Sequence, residues 1–188
     1  MAAEVDCSLA TTPALLKSPK LLRGLEPLAG RCRAVFSSGG LLQGDTAIAV
    51  HSVLGAAPFE ILGSTEPGGA AVRQRQPAEA PEETPWRALP GVEITRDGPD
   101  NRMVVTSPFV SVGEDAPAGA RQRFVTGDQI RFVTPQTFRL LGRADRIVKI
   151  GEKRLALPDM EKTLCAEAWV DDAALVVLDV GGTARVHA

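Results

Sequence analysis

One segment of this 188-residue chain constrains its fold most, because strand, helix and strand signals follow one another within it. Residues 33–36 (Arg-Ala-Val-Phe) form a short strand signal, and residues 58–62 (Pro-Phe-Glu-Ile-Leu) form a second. Between them a helix is predicted from about Asp45 to Gly55, with Ala47, Val50, Val53 and Leu54 on its apolar side. This order predicts a βαβ unit, in which the two strands are parallel and the crossover is right-handed.

Small and polar residues follow both predicted strands. Ser37-Ser38-Gly39-Gly40 follows the first strand and Gly63-Ser64-Thr65-Glu66 follows the second. Parallel strands end at one edge of a sheet, and open α/β sheets bind ligands at that edge. Glycines allow a phosphate to approach the backbone closely, while a hydroxyl and a carboxylate can serve an anion and a Mg²⁺ ion. The alternative for the second segment is an ordinary turn in which Thr65 caps a following helix.

The pattern of predicted helices and strands changes after residue 66 and indicates two further regions. Residues 67–142 contain short strand signals at 70–75, 92–96, 103–107, 129–132 and 138–141, with a loop rich in Pro, Ala and Glu at 76–85. They predict a small β-barrel or a distorted antiparallel sheet. Residues 143–188 predict a hairpin around Gly151-Glu152, a helix opened by Pro158, and a strand that turns back at Gly181-Gly182. The expected fold class is α+β with a βαβ unit, divided at 1–66, 67–142 and 143–188.

Charge and hydropathy narrow the possible functions. Lys and Arg number 21 against 23 Asp and Glu, so the net charge is −2, which argues against a dedicated nucleic-acid binder. No apolar run approaches the roughly 18 residues of a membrane span, and residues 1–9 lack the basic start and apolar core of a signal peptide. We therefore expect a cytoplasmic protein that binds no nucleic acid and does not span a membrane.

Cysteine usage argues against a structural zinc site. Cys7, Cys32 and Cys165 are far apart and no pair has metal-ligand spacing. We expect all three to be buried free thiols. In the predicted C-terminal helix, Cys165 is expected on an apolar face with Met160, Leu164 and Ala168.

Two further motifs carry charged groups beside glycine. Thr126-Gly127-Asp128 predicts a glycine turn whose carboxylate can accept hydrogen bonds from ribose hydroxyls, although such turns are also common in plain hairpins. Gly142-Arg143-Ala144-Asp145 sets a cation beside an anion, which suits phosphate or ribose contact, and a surface ion pair is the alternative.

The order of these motifs resembles the adenylate-forming enzyme superfamily of acyl- and aryl-CoA synthetases, nonribosomal peptide adenylation domains and luciferases. The resemblance rests on residues 37–41, 60–69, 126–128 and 142–150 in that order, and it covers nearly the whole chain. Residues 36–43 and 140–160 are most similar to bacterial acyl-CoA or acyl-carrier-protein synthetases. The resemblance implies the end of a nucleotide-binding α/β subdomain at 1–66, a β-rich barrel subdomain at 67–142, and the first half of a mobile C-terminal domain at 143–188.

The resemblance also implies roles for particular residues. Thr65, Glu66 and Arg143 are expected to be catalytic: Thr65 contacts the α-phosphate, Glu66 binds Mg²⁺, and Arg143 contacts ribose and phosphate. Asp128 is expected to accept the ribose hydroxyls, and Asp145 to be the hinge of the C-terminal domain. The implied nucleotide-binding residues are Gly39, Gly40, Glu60, Ile61, Leu62, Gly63, Ser64, Thr65, Asp128 and Arg143.

Reaction and partners follow from the same resemblance. Such enzymes join a carboxylic acid to AMP from ATP with Mg²⁺, and then pass the acyl group to the thiol of CoA or of the phosphopantetheine on a carrier protein. A small carboxylic acid, a possible acyl carrier protein and a role in fatty acid metabolism are therefore expected.

Departures from the superfamily pattern qualify this interpretation. Leu62 stands where the superfamily has a tyrosine before Gly-Ser-Thr-Glu, and Glu152 stands where it usually has a glycine. The upstream phosphate loop and the late lysine of the superfamily are not in the chain. We therefore interpret the chain as a fragment of a larger ligase that is inactive by itself. The alternative is a naturally short, non-catalytic paralogue that binds a nucleotide or a partner.

Overall fold

A nine-stranded mixed sheet is the frame of the molecule in the computed structural model, which describes residues 6–75, 84–111, 121–150, 153–180 and 183–188. Its strands are β1 (Cys7–Thr11), β2 (Cys32–Ser38), β3 (Phe59–Ser64), β4 (Gly68–Gln74), β5 (Trp86–Ala88), β6 (Glu93–Asp97), β7 (Arg102–Ser107), β8 (Gln122–Thr134) and β9 (Thr137–Arg143). They lie in the order β1-β2-β3-β4-β5-β9-β8-β7-β6. The α+β class is confirmed. Of the two predicted forms for the middle region, the described strands take the open antiparallel one and close no barrel.

The predicted βαβ unit is confirmed. Strands β2 and β3 pair in parallel, with Phe36 opposite Phe59 and the two rings stacked 5.4 Å apart. Helix α3 (Gly44–Leu54) connects them and ends at Gly55, whose φ of 73° is the left-handed conformation that glycine adopts without a Cβ penalty. The helix covers the sheet with the buried side chains of Val50 and Leu54.

Two short helices precede this unit. Helix α1 (Pro13–Leu16) starts with Pro13 after the capping residue Thr12, and α2 (Pro19–Leu25) repeats this arrangement with Ser18 as the cap. In both helices, the hydroxyl of the capping residue accepts a hydrogen bond from a backbone N–H of the first turn. Proline is tolerated as the first helical residue because the N–H at that position has no partner within the helix.

Three strand predictions were incomplete or wrong. Strands β1 and β5 were not predicted, and β8 begins at Gln122 rather than near Gln129. As a result, Thr126-Gly127-Asp128 lies inside a continuous strand and not in a turn. Strand β8 is held on both sides of Gly127, because Val125 pairs with Val104 of β7 and Asp128 pairs with Arg143 of β9.

The apolar interior consists of two clusters. One lies beneath β4–β9 and includes Trp86, Met103, Ile130 and Phe138. The other joins α1, α2 and α3 to β2 through residues such as Leu16, Val35 and Val50, which are fully buried. The sheet is continuous from one cluster to the other.

Beyond β9, a 3-10 turn (Ala144–Arg146) leads to two small hairpins and a helix: β10 (Ile147–Ile150), β11 (Lys153–Ala156), α4 (Leu157–Cys165), β12 (Val176–Val180) and β13 (Thr183–His187). The predicted hairpins are confirmed as β10–β11 and β12–β13. The strand predicted over residues 173–178 is β12, which begins at Val176. The turns at 151–152 and 181–182, and residues 76–83 of the predicted loop, lie outside the described residues.

Two expectations about the C-terminal helix and the thiols are corrected. Helix α4 ends at Cys165, so Ala168 is not part of its apolar face, and the Cys165 side chain is exposed. Cys7 is half-buried, and Cys32 is buried as predicted. Burial raises the pKa of the Cys32 thiol, which makes it a poor nucleophile.

The described residues contain neither a membrane-spanning helix nor a cluster of metal-binding side chains. None of the helices in the described part of the chain is long and apolar enough to cross a membrane. The same residues contain no group of three or more His, Cys, Asp or Glu side chains that could hold a metal ion.

Candidate functional site

A cavity of about 700 Å³ opens at the carboxyl ends of β2 and β3. The segment after β2 contributes Gly39 and Gly40 to its wall, and the end of β3 contributes Gly63 and Ser64. The structure brings together at this cavity all the residues for which nucleotide or metal contact was predicted: Gly39, Gly40, Glu60, Ile61, Leu62, Gly63, Ser64, Thr65, Glu66, Asp128 and Arg143.

The opposite wall comes from the antiparallel part of the sheet. Strand β8 contributes residues 124–128, and β9 contributes Leu140 and Arg143. Trp86 and Met103 complete an apolar floor that sequence reasoning missed. A lone Trp near a Pro-rich stretch carries no local signal of this position, because only the pairing of β5 with β9 places it there.

The turn after β3 holds the Thr65 and Glu66 side chains. It leads directly into the antiparallel strand β4, so the alternative in which Thr65 caps a helix is wrong. The Ser64 hydroxyl donates to Glu66 Oε2 at 2.8 Å, and this hydrogen bond lowers the pKa of the Glu66 carboxyl. The backbone N–H of Ser111 donates to the Glu66 carbonyl at 2.7 Å and anchors the turn. An exposed, ionised carboxylate is therefore held at the rim of the cavity.

Gly63 is required by the geometry of this turn. A register shift separates Leu62 from Gly63 in the β3–β4 pair, as in a β-bulge. A Cβ on Gly63 would overlap the carbonyl oxygen of Gly68 and would lie 3.0 Å from Gly69 Cα. The close approach of the two strands at the cavity thus depends on the missing side chain.

Asp128 and Arg143 face each other across β8 and β9 at the mouth of the cavity. They are register partners, and Arg143 Nη1 lies 3.4 Å from Asp128 Oδ1. The backbone N–H of Asp128 donates to the Thr126 hydroxyl at 3.1 Å, which fixes the local backbone. The Asp128 side chain is 22% exposed and that of Arg143 is 48% exposed, so a ligand can reach both groups.

Glu60 is buried under the cavity in a network of cations. Its carboxylate binds Arg73 and Arg75, and Arg75 also donates to the Leu42 carbonyl. Sequence reasoning assigned Glu60 to the cavity without these partners, which lie 13 and 15 residues further along the chain, in β4 and directly after it.

Asp145, the predicted hinge, lies in the 3-10 turn after β9, and its side chain is outside the described part of the structure. Next to it, Arg146 binds Glu161 of α4 through two hydrogen bonds of 3.0 and 2.6 Å. Glu161 also accepts the backbone N–H of Leu175 at 2.6 Å. These bonds, chiefly those from Arg146, lower the pKa of the Glu161 carboxyl.

Comparison with curated sequences gives short or distant matches, and no protein-family model matches the chain. The chain is 28% identical over 101 residues to an L-proline--[L-prolyl-carrier protein] ligase of Pseudomonas fluorescens, which covers 54% of this chain and 20% of that protein. It is 26% identical over 200 residues to the PF 1022-synthetase of Rosellinia sp., which covers 88% of this chain and 6% of the synthetase. The chain therefore spans a fifth or less of these relatives.

Comparison with solved structures agrees on the fold. Klebsiella oxytoca NpsA in complex with 3-hydroxyanthranilyl-AMSN matches 99% of this chain and 43% of its own, with a TM-score of 0.67 and 19% identity. The ATP-bound RpMatB-BxBclM chimera B3 matches 95% of this chain and 39% of its own, with a TM-score of 0.67 and 22% identity. A carrier-protein ligase and a synthetase among the curated relatives, and an ATP-bound protein among the solved structures, agree with the predicted resemblance of the chain to the adenylate-forming superfamily.

Proposed function

We propose that this chain is the nucleotide-binding segment of a larger ATP-dependent, AMP-forming acid ligase, and that its cavity holds the adenylate. One observation carries the proposal: two glycine-containing strand ends, a carboxylate with a lowered pKa and an Asp–Arg pair all line the same cavity. The sequence and fold matches to adenylate-forming ligases support it.

The described residues fit an adenine nucleotide group by group. Asp128 can accept hydrogen bonds from both ribose hydroxyls, since its carboxylate is partly exposed and its backbone is fixed. The Arg143 guanidinium can donate two parallel hydrogen bonds to one phosphate, in a bidentate contact. Gly39 and Gly40 leave room for a flat ring beside the backbone. Leu62 offers that ring an apolar contact where the superfamily offers an aromatic one.

Glu66 is the proposed Mg²⁺ ligand, and Thr65 the proposed contact to the α-phosphate. The Glu66 carboxyl is exposed at the rim, and its lowered pKa keeps it ionised at neutral pH. One protein carboxylate is sufficient because Mg²⁺ commonly takes its other ligands from phosphates and water. The carboxylate of the acid would attack the α-phosphorus of ATP and displace pyrophosphate, and the cations and donors around the cavity would stabilise the charge that develops there.

We further propose a small carboxylic acid as the substrate and a thiol as the final acyl acceptor. The carrier-protein ligase among the relatives supports a phosphopantetheine thiol on a carrier protein, and CoA is the other candidate. An acyl-CoA synthetase type and a role in fatty acid metabolism belong to the same proposal. A cytoplasmic location stays a prediction.

The three regions 1–66, 67–142 and 143–188 are proposed as structural units of that enzyme. Two separate apolar clusters, one on each side of the β3–β4 turn, support the first boundary. The separate two-stranded sheets after β9 support the second. Under this proposal the third region is the start of a mobile C-terminal domain with Asp145 as its hinge.

Binding of AMP to the purified chain tests the nucleotide assignment. Replacing Trp169, whose side chain is exposed, by Phe leaves Trp86 in the cavity wall as the single indole reporter. In this background we expect a Kd of about 1 mM, which corresponds to about −4 kcal/mol. Asp128→Ala should weaken binding about tenfold or more. Asp97→Ala is the matched control, because Asp97 forms a similar exposed pair with Arg123 and neither residue lines the cavity. Equal affinities for both variants would remove the ribose assignment.

Exchange of pyrophosphate into ATP separates a ligase from a non-catalytic nucleotide-binding module. We expect no exchange by this chain alone with fatty or aryl acids, because losing one electrostatic donor to the transition state already costs about 10²–10³ in rate. The protein encoded by the longest open reading frame that contains this chain should exchange pyrophosphate into ATP with at least one acid. Nucleotide binding without exchange by that full-length protein would favour the module.

A further inference from the structure

We propose that Arg75 is a positioning residue that fixes the Gly39–Leu42 rim of the cavity to Glu60 beneath it, an inference that rests on the proposed nucleotide site. Arg75 Nε donates to Glu60 Oε1 at 2.5 Å, and its Nη2 donates to the Leu42 carbonyl at 2.6 Å. A single guanidinium therefore joins the segment after β2 to the strand that leads into Ser64, Thr65 and Glu66.

Charge explains why this contact must be made. The side chains of Glu60, Arg73 and Arg75 are 5%, 7% and 3% exposed, so two guanidinium groups are buried with one carboxylate. Buried charges are costly unless hydrogen bonds and opposite charges compensate them. Arg73 is compensated by Glu60 Oε2 at 2.8 Å and by the Trp86 ring, whose centroid lies 4.4 Å from its Cζ. Arg75 is compensated by the Glu60 carboxylate, and the Leu42 carbonyl is a second acceptor for its buried guanidinium.

The segment that Arg75 holds has little side-chain packing of its own. Gly39 has a φ of 83° and no atom within 4 Å of the position of a Cβ, and Gly40 meets Pro13 Cγ at 3.7 Å. Leu42, by contrast, is 2% exposed and packs into the cluster that contains Val50. The placement of Gly39 and Gly40 therefore depends on Leu42, whose carbonyl is bound by Arg75.

Arg75 itself does not line the cavity, whereas Glu60, Gly39 and Gly40 do. Its loss would remove no group that a nucleotide touches. It would instead release the segment 39–42 from Glu60 in β3. Nucleotide binding would then weaken, because binding would have to order that segment. The same network joins Trp86, a residue of the cavity floor, to Glu60 through Arg73.

Hydrogen exchange measured peptide by peptide tests the inference, with AMP affinity as a second readout. In Arg75→Gln, the amides of residues 38–43 should exchange at least tenfold faster than in the unsubstituted chain, while those of β6–β8 stay protected. AMP should bind several-fold more weakly. Val104→Ala is the control for a general loss of stability, because Val104 is fully buried in β7 and does not line the cavity.

Arg75→Lys keeps the result decisive if Arg75→Gln fails to fold. Its single ammonium can still face Glu60 but cannot span to the Leu42 carbonyl with the reach and fork of a guanidinium. We expect faster exchange at residues 38–43 with thermal stability closer to that of the unsubstituted chain. Unchanged exchange at residues 38–43 in both variants, or a uniform increase like that of Val104→Ala, would overturn the inference. Faster local exchange in a chain that binds no AMP would instead overturn the proposed function and leave the positioning role supported.

Discussion

Gly63→Ala is the substitution for which the structure makes the sharpest prediction. The new methyl group would overlap the Gly68 carbonyl oxygen and would also approach Gly69 Cα, to 3.0 Å. Both obstacles are backbone atoms of β4, so no side-chain rotation relieves the contact. Either β3 or β4 must shift, and the bulge between them must open.

The expected cost follows from this steric conflict. Overpacking in a well-packed region costs about 1–3 kcal/mol in the free energy of unfolding. For a chain of this size, that loss lowers the melting temperature by roughly 2–4 °C for each kcal/mol. The shift would also displace Ser64, Thr65 and Glu66, which follow on the same turn. We therefore expect AMP affinity to fall about tenfold, which corresponds to about 1.4 kcal/mol.

Urea unfolding followed by circular dichroism, together with AMP titration, measures both effects. Gly24→Ala and Gly69→Ala are matched controls. Gly24 lies in α2 with no atom within 4 Å of a Cβ, so alanine should stabilise the chain by about 0.5–1 kcal/mol. A Cβ on Gly69 would lie 3.1 Å from the end of the Leu89 side chain, which can move, and 3.9 Å from Ile61 Cγ2, which is an ordinary contact distance. A Gly63→Ala chain as stable as the unsubstituted one would refute this account of the turn.

Three further predictions concern charged groups. Arg143→Ala should change the free energy of unfolding by less than about 1 kcal/mol, because its ion pair is exposed, yet it should weaken binding of AMP more than of adenosine, as titrations of both ligands would show. Ser64→Ala should raise the pKa of the Glu66 carboxyl toward its ordinary range in an NMR titration, because the hydroxyl favours the ionised form. The lowered pKa of Glu161 means that its bonds stabilise the fold above the ordinary carboxyl pKa and are lost as the pH falls through the lowered value. Glu161→Gln should therefore remove an acid-dependent step in the amide exchange of Leu175, and an unchanged step would contradict the assignment.

Local patterns in the sequence were sufficient for the part of the fold that bears the nucleotide motifs. The βαβ unit follows from short-range periodicity and from the glycine at the end of α3. Because parallel strands end at one sheet edge, the sequence also predicts that the segments after β2 and β3 meet. The hairpin of β10 and β11 is similarly local, since its strands are neighbours along the chain.

The remaining strands depend on pairing between distant parts of the chain, which local sequence patterns do not predict. Strand β5 has only three residues and exists because it lies between β4 and β9, where Trp86 pairs with Phe138 more than fifty residues away. Strand β8 runs through Gly127 because partners on both sides supply its hydrogen bonds. Periodicity within a window reports the preferences of neighbours along the chain, whereas these strands depend on neighbours across the sheet.

The same distinction holds at the candidate site. The identity of Asp128, Glu66 and the glycines can be read from the sequence because each lies in a short motif. The burial of Glu60 between Arg73 and Arg75 cannot be read in this way, because two arginines spaced two residues apart at the end of a strand look like solvent-facing residues. Sequence thus determined which groups line the cavity from its motifs, and tertiary structure decided which charges lie beneath it, because burial depends on what the rest of the chain packs over each side chain.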